Sequence, residues 1–262
     1  MKKISLTAVS YLNTKPLLFG LFKSPVADLL DIQLDIPSVC AQKLSNGEAD
    51  LGLVPVAVLP HLETPYVISD YCIGTVGAVK TVGIFSQCPI EEITHLYLDH
   101  HSRTSVELAK ILLEEYWRIK PQYVAATEGY QTNIKGTAAG VIIGDRTIGQ
   151  ERNYRYFYDL GAIWQAHTGL PFVFAAWVST RPLDPQFVSD FNQALKQGID
   201  AIPQLIYLIP PPHPEFDLGE YYTHHISYEF DQPKRRALSI FLEKISKGLQ
   251  PSLEASLALV DG

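Results

Sequence analysis

The sequence predicts an α/β protein of two lobes, one of which interrupts the other along the chain. In the first 54 residues, strand-like segments alternate with helical segments. Strands separated by helices need crossover connections, which favour a parallel sheet. A strand-rich middle part then gives way to long helical segments from residue 183 onward. We therefore expect residues 1–86 and 180–262 to form lobe I, residues 87–179 to form lobe II, and a ligand-binding cleft to lie between them.

The elements of lobe I follow from hydrophobic periodicity and from helix start and stop signals. Their predicted order is a strand at 3–9, a polar loop at 10–14, a helix from Pro16 to Phe22, a strand at 31–36, a helix between Pro37 and Gly47, and a buried strand at 50–54. Short strand-like runs at 71–85 lead out of the lobe. The chain returns to it in helices at 183–208 and 231–249, the second capped by Asp231.

Lobe II is predicted to contain strands at 95–98, 139–143 and 172–178. The helix after the first of these strands can be capped by Ser102 or by Thr104. Glu107 stands three residues after Thr104, as a capping box requires.

The overall charge and the cysteine usage exclude several classes of function. The formal net charge is −7 and no long basic run occurs, which argues against nucleic acid as a partner. Cys40, Cys72 and Cys88 are far apart, which argues against a disulfide framework or a zinc site and fits a reducing compartment. Polar residues interrupt the N-terminal apolar stretch, and the longest apolar stretch, 51–60, is about half a membrane span. We expect a cytoplasmic protein with no membrane segment.

The polar loop at 10–14 is the first candidate site, because it follows a strand and opens a helix. Free backbone N–H groups and the helix dipole at such a position favour an anion. The alternative is that Asn13 or Thr14 only caps the helix, with Pro16 in its first turn. The residue pattern leaves both interpretations open.

Residues 10–17, Ser-Tyr-Leu-Asn-Thr-Lys-Pro-Leu, resemble the opening motif of the chorismate dehydratases of the futalosine route to menaquinone. Other segments resemble the same family in the same order, at 50–56, 77–82, 102–105, 143–146 and 168–175. The resemblance implies a two-lobed type II periplasmic-binding-protein-like fold with an interdomain cleft. It also implies an enzyme that converts chorismate to 3-((1-carboxyvinyl)oxy)benzoate and water. The family's functional asparagine falls on Asn13, and its functional serine falls on Thr81, which keeps the hydroxyl and adds a methyl group.

Chorismate carries two carboxylates, and we expect clamps at two helix starts to orient it. The substrate-binding candidates are Ser10, Tyr11 and Thr14 in the first loop, Ser102, Thr104 and Ser105 in lobe II, and Asp145. Asp145 follows a predicted strand and can face the cleft. Its alternative roles are to cap the next helix or to pair with Arg146.

Neither matched loop supplies an obvious general base. One hypothesis is that the substrate's own side-chain carboxylate removes the ring proton, while Asn13 and Thr81 fix its geometry and stabilise developing charge. The alternative base is Asp145 or one of the adjacent histidines, His100 and His101. We predict no metal, because the only other histidine pair, at 224–225, lacks a third ligand at metal spacing, and we expect no cofactor.

Two other functions compete with dehydration of chorismate. The paralogous dihydroxynaphthoate synthase shares the implied fold, but its opening motif is of the Ser-Pro-Cys-Pro-Asn type. A cytoplasmic small-anion binding or sensing protein is also permitted, because a fold does not determine a function. The expected partner is a small molecule in each case, and the sequence leaves the oligomeric state open.

Overall fold

Eleven strands form two sheets in the part of the chain that this computed structural model describes, residues 3–246. The strands are β1 (Ile4–Val9), β2 (Leu30–Asp35), β3 (Leu51–Pro55), β4 (Tyr66–Thr75), β5 (Val82–Ser86), β6 (His95–Leu98), β7 (Gln122–Ala125), β8 (Ala138–Ile143), β9 (Tyr156–Asp159), β10 (Phe172–Ser179) and β11 (Ser227–Glu229). The α-helices are α1 (Lys15–Lys23), α2 (Pro37–Ser45), α3 (Thr104–Glu115), α4 (Leu160–Thr168), α5 (Pro185–Asp200), α6 (Ile202–Leu205), α7 (Leu218–Glu220) and α8 (Gln232–Ser246).

The larger sheet has six strands in the order β11-β4-β10-β3-β1-β2, and the smaller has five in the order β7-β6-β8-β5-β9. β1 pairs in parallel with β2 and β3, as the alternation of strands and helices predicts. β6 likewise pairs in parallel with β7 and β8. β10 runs antiparallel to both β3 and β4 in the larger sheet, and β5 runs antiparallel to β8 in the smaller one. Each sheet is therefore mixed rather than wholly parallel. The α/β class is confirmed.

Two strands lie in a different sheet from the one that the expected lobe boundaries, at residues 86 and 179, would give them. β5, expected in lobe I, lies in the five-stranded sheet, and β10, expected in lobe II, lies in the six-stranded sheet. The two strands are buried along their whole length. A strand that is buried along its whole length can lie in the interior of either sheet. Its sequence does not show which strands it will pair with.

The helical segments of the sequence are present with shorter bounds. The segment expected at 183–208 is α5, capped by the Asp184 carboxylate, followed by the short α6. Asp231 caps α8, because its Oδ1 accepts from the backbone N–H of Lys234 at 3.0 Å. The last three residues of the helix expected at 231–249 lie outside the described residues. Within residues 3–246, no helix combines the length and apolar character needed to span a bilayer.

Helix α1 follows the first candidate loop and is held in place by unusually close packing on α5. A Cβ atom on Gly20 would lie 1.9 Å from the carbonyl oxygen of Ala194, and one on Gly198 would lie 2.0 Å from that of Pro16. Only glycine fits at both positions, since backbone cannot yield as a flexible side chain does. The two glycines therefore set the position of α1 and of the loop that precedes it.

Replacing Gly20 by alanine should destabilise the protein by about 3 kcal/mol, because the added methyl group must force two helix backbones apart. Urea unfolding measures this change. Phe22→Ala is the matched control, since Phe22 lies on the solvent side of the same helix with 55% of its surface exposed. Equal stability of the two variants would contradict the close approach of α1 and α5.

Candidate functional site

A cavity lies between the two sheets, where the carboxyl ends of β1 and β3 face those of β6 and β8. Ligands of α/β proteins bind at such ends. Its volume is about 60 Å³, which is small beside the roughly 300–1,000 Å³ of a site that encloses a ligand. We therefore expect the lobes to separate when a ligand enters. The lining residues are Val9, Tyr11, Asn13, Thr14, Pro37, Pro55, Ile73, Val79, Val82, Ser102, Thr104, Ser105, Ile143, Gly144, Phe174 and Ala175.

Six of the nine candidate residues from the sequence line this cavity, namely Tyr11, Asn13, Thr14, Ser102, Thr104 and Ser105. The other three do not. Ser10 is exposed, and its backbone N–H donates to the carbonyl of Asp35. Thr81 and Asp145 lie directly behind the wall, next to lining residues Val82 and Gly144.

Three nearly buried hydroxyl groups stand at the amino end of α3. The Ser102 hydroxyl oxygen accepts from the backbone N–H of Ser105 at 3.0 Å, so Ser102 caps the helix. The Thr104 hydroxyl oxygen accepts instead from the backbone N–H of Ala57 at 3.2 Å, across the cleft. The expected alternative, a capping box headed by Thr104, is therefore wrong. Because backbone donors occupy their oxygens, Ser102 and Thr104 keep their hydroxyl protons to donate to a ligand.

Asn13 is half-buried in the turn between β1 and α1. The Thr14 hydroxyl donates to its side-chain oxygen at 3.2 Å. The hydroxyl of Tyr228 donates to its backbone carbonyl at 2.9 Å. These contacts hold the turn and leave an N–H donor of the Asn13 amide for a ligand oxygen.

Asp145 binds the first loop from the opposite lobe. Both of its carboxylate oxygens accept from the backbone N–H of Leu12, at 3.0 and 3.2 Å. The expected alternatives are wrong, because Arg146 pairs with Asp99 at 2.5 Å and no cap hydrogen bond from Asp145 begins the turn at 144–147. The amide that the sequence offered to a substrate anion is thus occupied by a carboxylate of the protein. Burial raises the pKa of Asp145, and the Leu12 N–H and Lys15 offset part of that rise.

Asp145→Asn should leave the protein at least as stable as the wild type, whereas Asp145→Ala should cost about 1.5–3 kcal/mol, the value of a hydrogen bond to a charged group. Because the pKa of Asp145 is raised on folding, the folded protein binds that proton more tightly than the unfolded chain. The contribution of Asp145 to the free energy of unfolding therefore falls as the pH rises through its pKa, and Asp145→Asn should remove this pH dependence. Thermal unfolding at several pH values measures both effects. An asparagine variant as unstable as the alanine variant would contradict this assignment.

A second contact crosses the cleft beside Asp145. The Tyr11 hydroxyl is 2.9 Å from Nδ1 of His101, and burial raises the pKa of Tyr11 to about 12. Gly144 makes room for the Tyr11 ring, since its φ is +64° and a Cβ atom there would lie 2.5 Å from the ring. Burial and Arg146 lower the pKa of His101, which does not line the cavity.

Thr81 ends a tight turn that a buried carboxylate holds. Asp159 accepts from the backbone N–H groups of Val79 at 3.1 Å and Lys80 at 2.7 Å, and Lys80 adopts a left-handed φ of +62°. The Thr81 side chain is 1% exposed, and its hydroxyl lies 2.9 Å from the hydroxyl of Tyr221. Sequence reasoning missed Asp159 and Tyr221. No local pattern marks them, because both act on a turn about 80 or 140 residues away.

The cavity combines apolar walls with neutral hydrogen-bonding groups. No carboxylate, imidazole, ammonium or guanidinium side chain lines it in the part of the chain that the structure describes. Such a site can enclose a ring, hold oxygens by hydroxyl and amide donors, and exclude water. Any proton acceptor that acted on a ligand in this cavity would therefore have to belong to the ligand or be brought in by a change of conformation.

Comparisons with known proteins agree with this architecture. The menaquinone biosynthesis family matches residues 4–247. A chorismate dehydratase of Thermus thermophilus is 25% identical over 242 residues, which cover 82% of this chain and 87% of that protein. A crystal structure from Archaeoglobus fulgidus has a TM-score of 0.69 at 13% identity and covers 94% of this chain and 97% of its own. A Candida albicans protein described as having the generic periplasmic binding protein structural fold has a TM-score of 0.63 at 10% identity, covering 100% and 95%. This periplasmic-binding-protein-like fold is the one that the resemblance implied.

Proposed function

The chain belongs to the menaquinone biosynthesis family, and from this premise we propose that it is a chorismate dehydratase of the futalosine route. The reaction removes water from chorismate and yields 3-((1-carboxyvinyl)oxy)benzoate. A chorismate dehydratase among its relatives supports the proposal. The observation that carries it is the cavity itself, in which neutral donors surround an apolar space and no charged side chain among the described residues takes part.

Once the lobes have separated, we expect the carboxylates and the ring of the substrate to bind at separate places in the cavity. The hydroxyls of Ser102, Thr104 and Ser105 stand at the positive end of the α3 dipole, where a carboxylate is stabilised. Apolar residues from both sheets, including Val9 and Phe174, would enclose the cyclohexadiene ring. Since the net charge of the protein is −7, these local donors must hold the dianion against the overall field.

Dehydration requires that a ring proton and the neighbouring hydroxyl group leave. The C–H bond at the ring carbon that bears the ether breaks, its electrons form the new ring double bond, and the hydroxyl departs with a proton as water. The product is aromatic, so the substrate itself supplies the driving force. What the protein must supply is orientation and stabilisation of charge as it develops.

We infer that the side-chain carboxylate of the substrate accepts the ring proton. The three protein alternatives lie outside the cavity, where Asp145 binds the Leu12 N–H, His101 lies against Tyr11 and His100 lies beside Asp99. Asn13 would hold the accepting carboxylate in place by its amide N–H groups. Thr81 would act from behind the cavity wall and help to position Asn13.

The location in the cytoplasm also remains part of this proposal. Cys40, Cys72 and Cys88 are buried free thiols, and thiols persist in reducing compartments.

Incubation of chorismate with a substoichiometric amount of the purified protein tests the proposed function. We expect many turnovers, an aromatic ultraviolet band, and a product lighter than chorismate by one water, identified by mass spectrometry. Saturable binding without turnover would instead indicate a small-anion binding protein. A chorismate solution that neither reacts nor binds would contradict the proposal and return attention to the dihydroxynaphthoate synthase reaction.

A further inference from the structure

A third segment of the chain, at 218–230, packs behind the candidate site. It forms a π-helical turn at Tyr221–His225 and then strand β11. Its tyrosines, Tyr221, Tyr222 and Tyr228, are 1%, 1% and 5% exposed. π-helical turns in proteins occur frequently at functional sites. None of the six segments that resemble the dehydratase family overlaps residues 218–230.

Tyr221 connects the two proposed functional groups. Its hydroxyl lies 2.9 Å from the Thr81 hydroxyl, and the Asn13 side chain also interacts with it. From the same segment, Tyr228 donates to the backbone carbonyl of Asn13. Asn13 and Thr81 lie on different loops, at the ends of strands from different sheets. The segment therefore bridges both halves of the site.

Either hydroxyl can donate in the bond between Tyr221 and Thr81, and the Val79 carbonyl, which can only accept from Thr81, favours donation by Tyr221. Burial raises the pKa of Tyr221, so its hydroxyl keeps its proton throughout the neutral range. A phenol that donates to the Thr81 oxygen leaves the Thr81 proton without a strong internal acceptor, because the nearest, the Val79 carbonyl, is 3.4 Å away.

We propose that Tyr221 is a positioning residue, whose hydroxyl forms one hydrogen-bonded unit with Thr81 beside the Asn13 side chain and so sets the separation of Thr81 and Asn13 for the reaction. This inference rests on the proposed function. It also gives Thr81 a defined role: its hydroxyl is essential to the unit, and its methyl group is not.

The test compares Tyr221→Phe with Tyr222→Phe, which is a matched control. Both variants remove one hydroxyl from a buried tyrosine of the same turn, but the Tyr222 hydroxyl has no hydrogen-bond partner among the described residues. We expect Tyr221→Phe to lower kcat for chorismate about 10–100-fold through loss of alignment, with KM changed less than about threefold. Tyr222→Phe should keep the wild-type constants. Thermal unfolding should show both variants folded.

A double-mutant cycle with Thr81→Val distinguishes a positioning role from a merely structural one. The quantity compared is the effect of Tyr221→Phe on kcat with and without the Thr81 hydroxyl. If the two hydroxyls act as one unit, Tyr221→Phe should have no further effect on kcat in the Thr81→Val background. Thr81→Ser should retain activity. Should Tyr221→Phe fail to fold, Thr81→Val breaks the same bond from the other side and should lower kcat to a similar extent.

The outcomes separate this inference from the proposed function. Suppose that the wild type is active. The positioning role alone is then overturned if Tyr221→Phe behaves like Tyr222→Phe, or if the effects of Tyr221→Phe and Thr81→Val on kcat add. A wild type that does not convert chorismate would overturn the proposed function, and the positioning role with it.

Discussion

Replacement of Asn13 by alanine should lower kcat for chorismate by about 10²–10³-fold, the usual loss when one preorganised donor to a developing charge is removed. Asn13 belongs to the first loop and lines the cavity. Its side-chain amide supplies N–H donors on that side of the cavity. Asn13→Asp should be at least as damaging, because a carboxylate there would repel a substrate that carries two negative charges. Steady-state kinetics of both variants, with product quantified by chromatography, measures the loss.

The fold should survive both changes at Asn13. Its side-chain oxygen accepts a hydrogen bond from Thr14 at 3.2 Å, while the turn is held mainly through its backbone carbonyl by Tyr228. We expect a change in the free energy of unfolding of no more than about 1 kcal/mol. Asn133→Ala, at an exposed position of lobe II, is the matched control. Near-normal rates in both Asn13 variants would remove Asn13 from the mechanism.

Removal of the hydroxyls at the start of α3 should produce the other large effect, this time on binding. Thr104→Val and Ser105→Ala together take away two of the three hydroxyl groups that line this end of the cavity. A hydrogen bond to a charged group contributes about 1.5–3 kcal/mol, so the double variant should raise KM about 10²–10⁴-fold. If these hydroxyls bind substrate and transition state equally, kcat should change little.

Binding of the product, measured by calorimetry, should weaken in parallel with KM. Ser105→Ala is the cleaner single variant, because Thr104→Val also leaves the buried N–H of Ala57 without its acceptor and should destabilise the protein. Thr94→Val, on the exposed surface of the same lobe, serves as the control. An unchanged KM would show that the carboxylates bind elsewhere in the cleft.

Much of the site was visible in the sequence because its parts are local. Pro16 opens α1 and Ser102 caps α3, and each signal needs only a few neighbouring residues. A polar loop between a strand and a helix is recognisable for the same reason. Six candidate residues chosen this way line one cavity, although they come from loops about 90 residues apart along the chain.

The strand assignments show where this local information ends. Strands β5 and β10 pair with strands on the other side of the lobe boundaries expected from the sequence, since a fully buried strand carries no mark of its partners. Asp145 was a candidate for binding the substrate, for capping the next helix or for pairing with Arg146, but the fold brings the Leu12 N–H to it from 133 residues away. Short-range pairing is a weak guide when a buried carboxylate meets an unpaired backbone donor.

The sequence by itself was enough to predict the α/β class, most helix starts and the motifs that resemble those of a dehydratase. Periodicity, capping and motif resemblance each depend only on residues close together along the chain. The pairing of strands into two sheets, the occupation of the first-loop amide by Asp145, and the bond between Tyr221 and Thr81 depend on packing between distant segments. Burial makes those contacts strong, since a polar group removed from water must find a partner within the protein. Which partner it finds is a property of the folded chain as a whole.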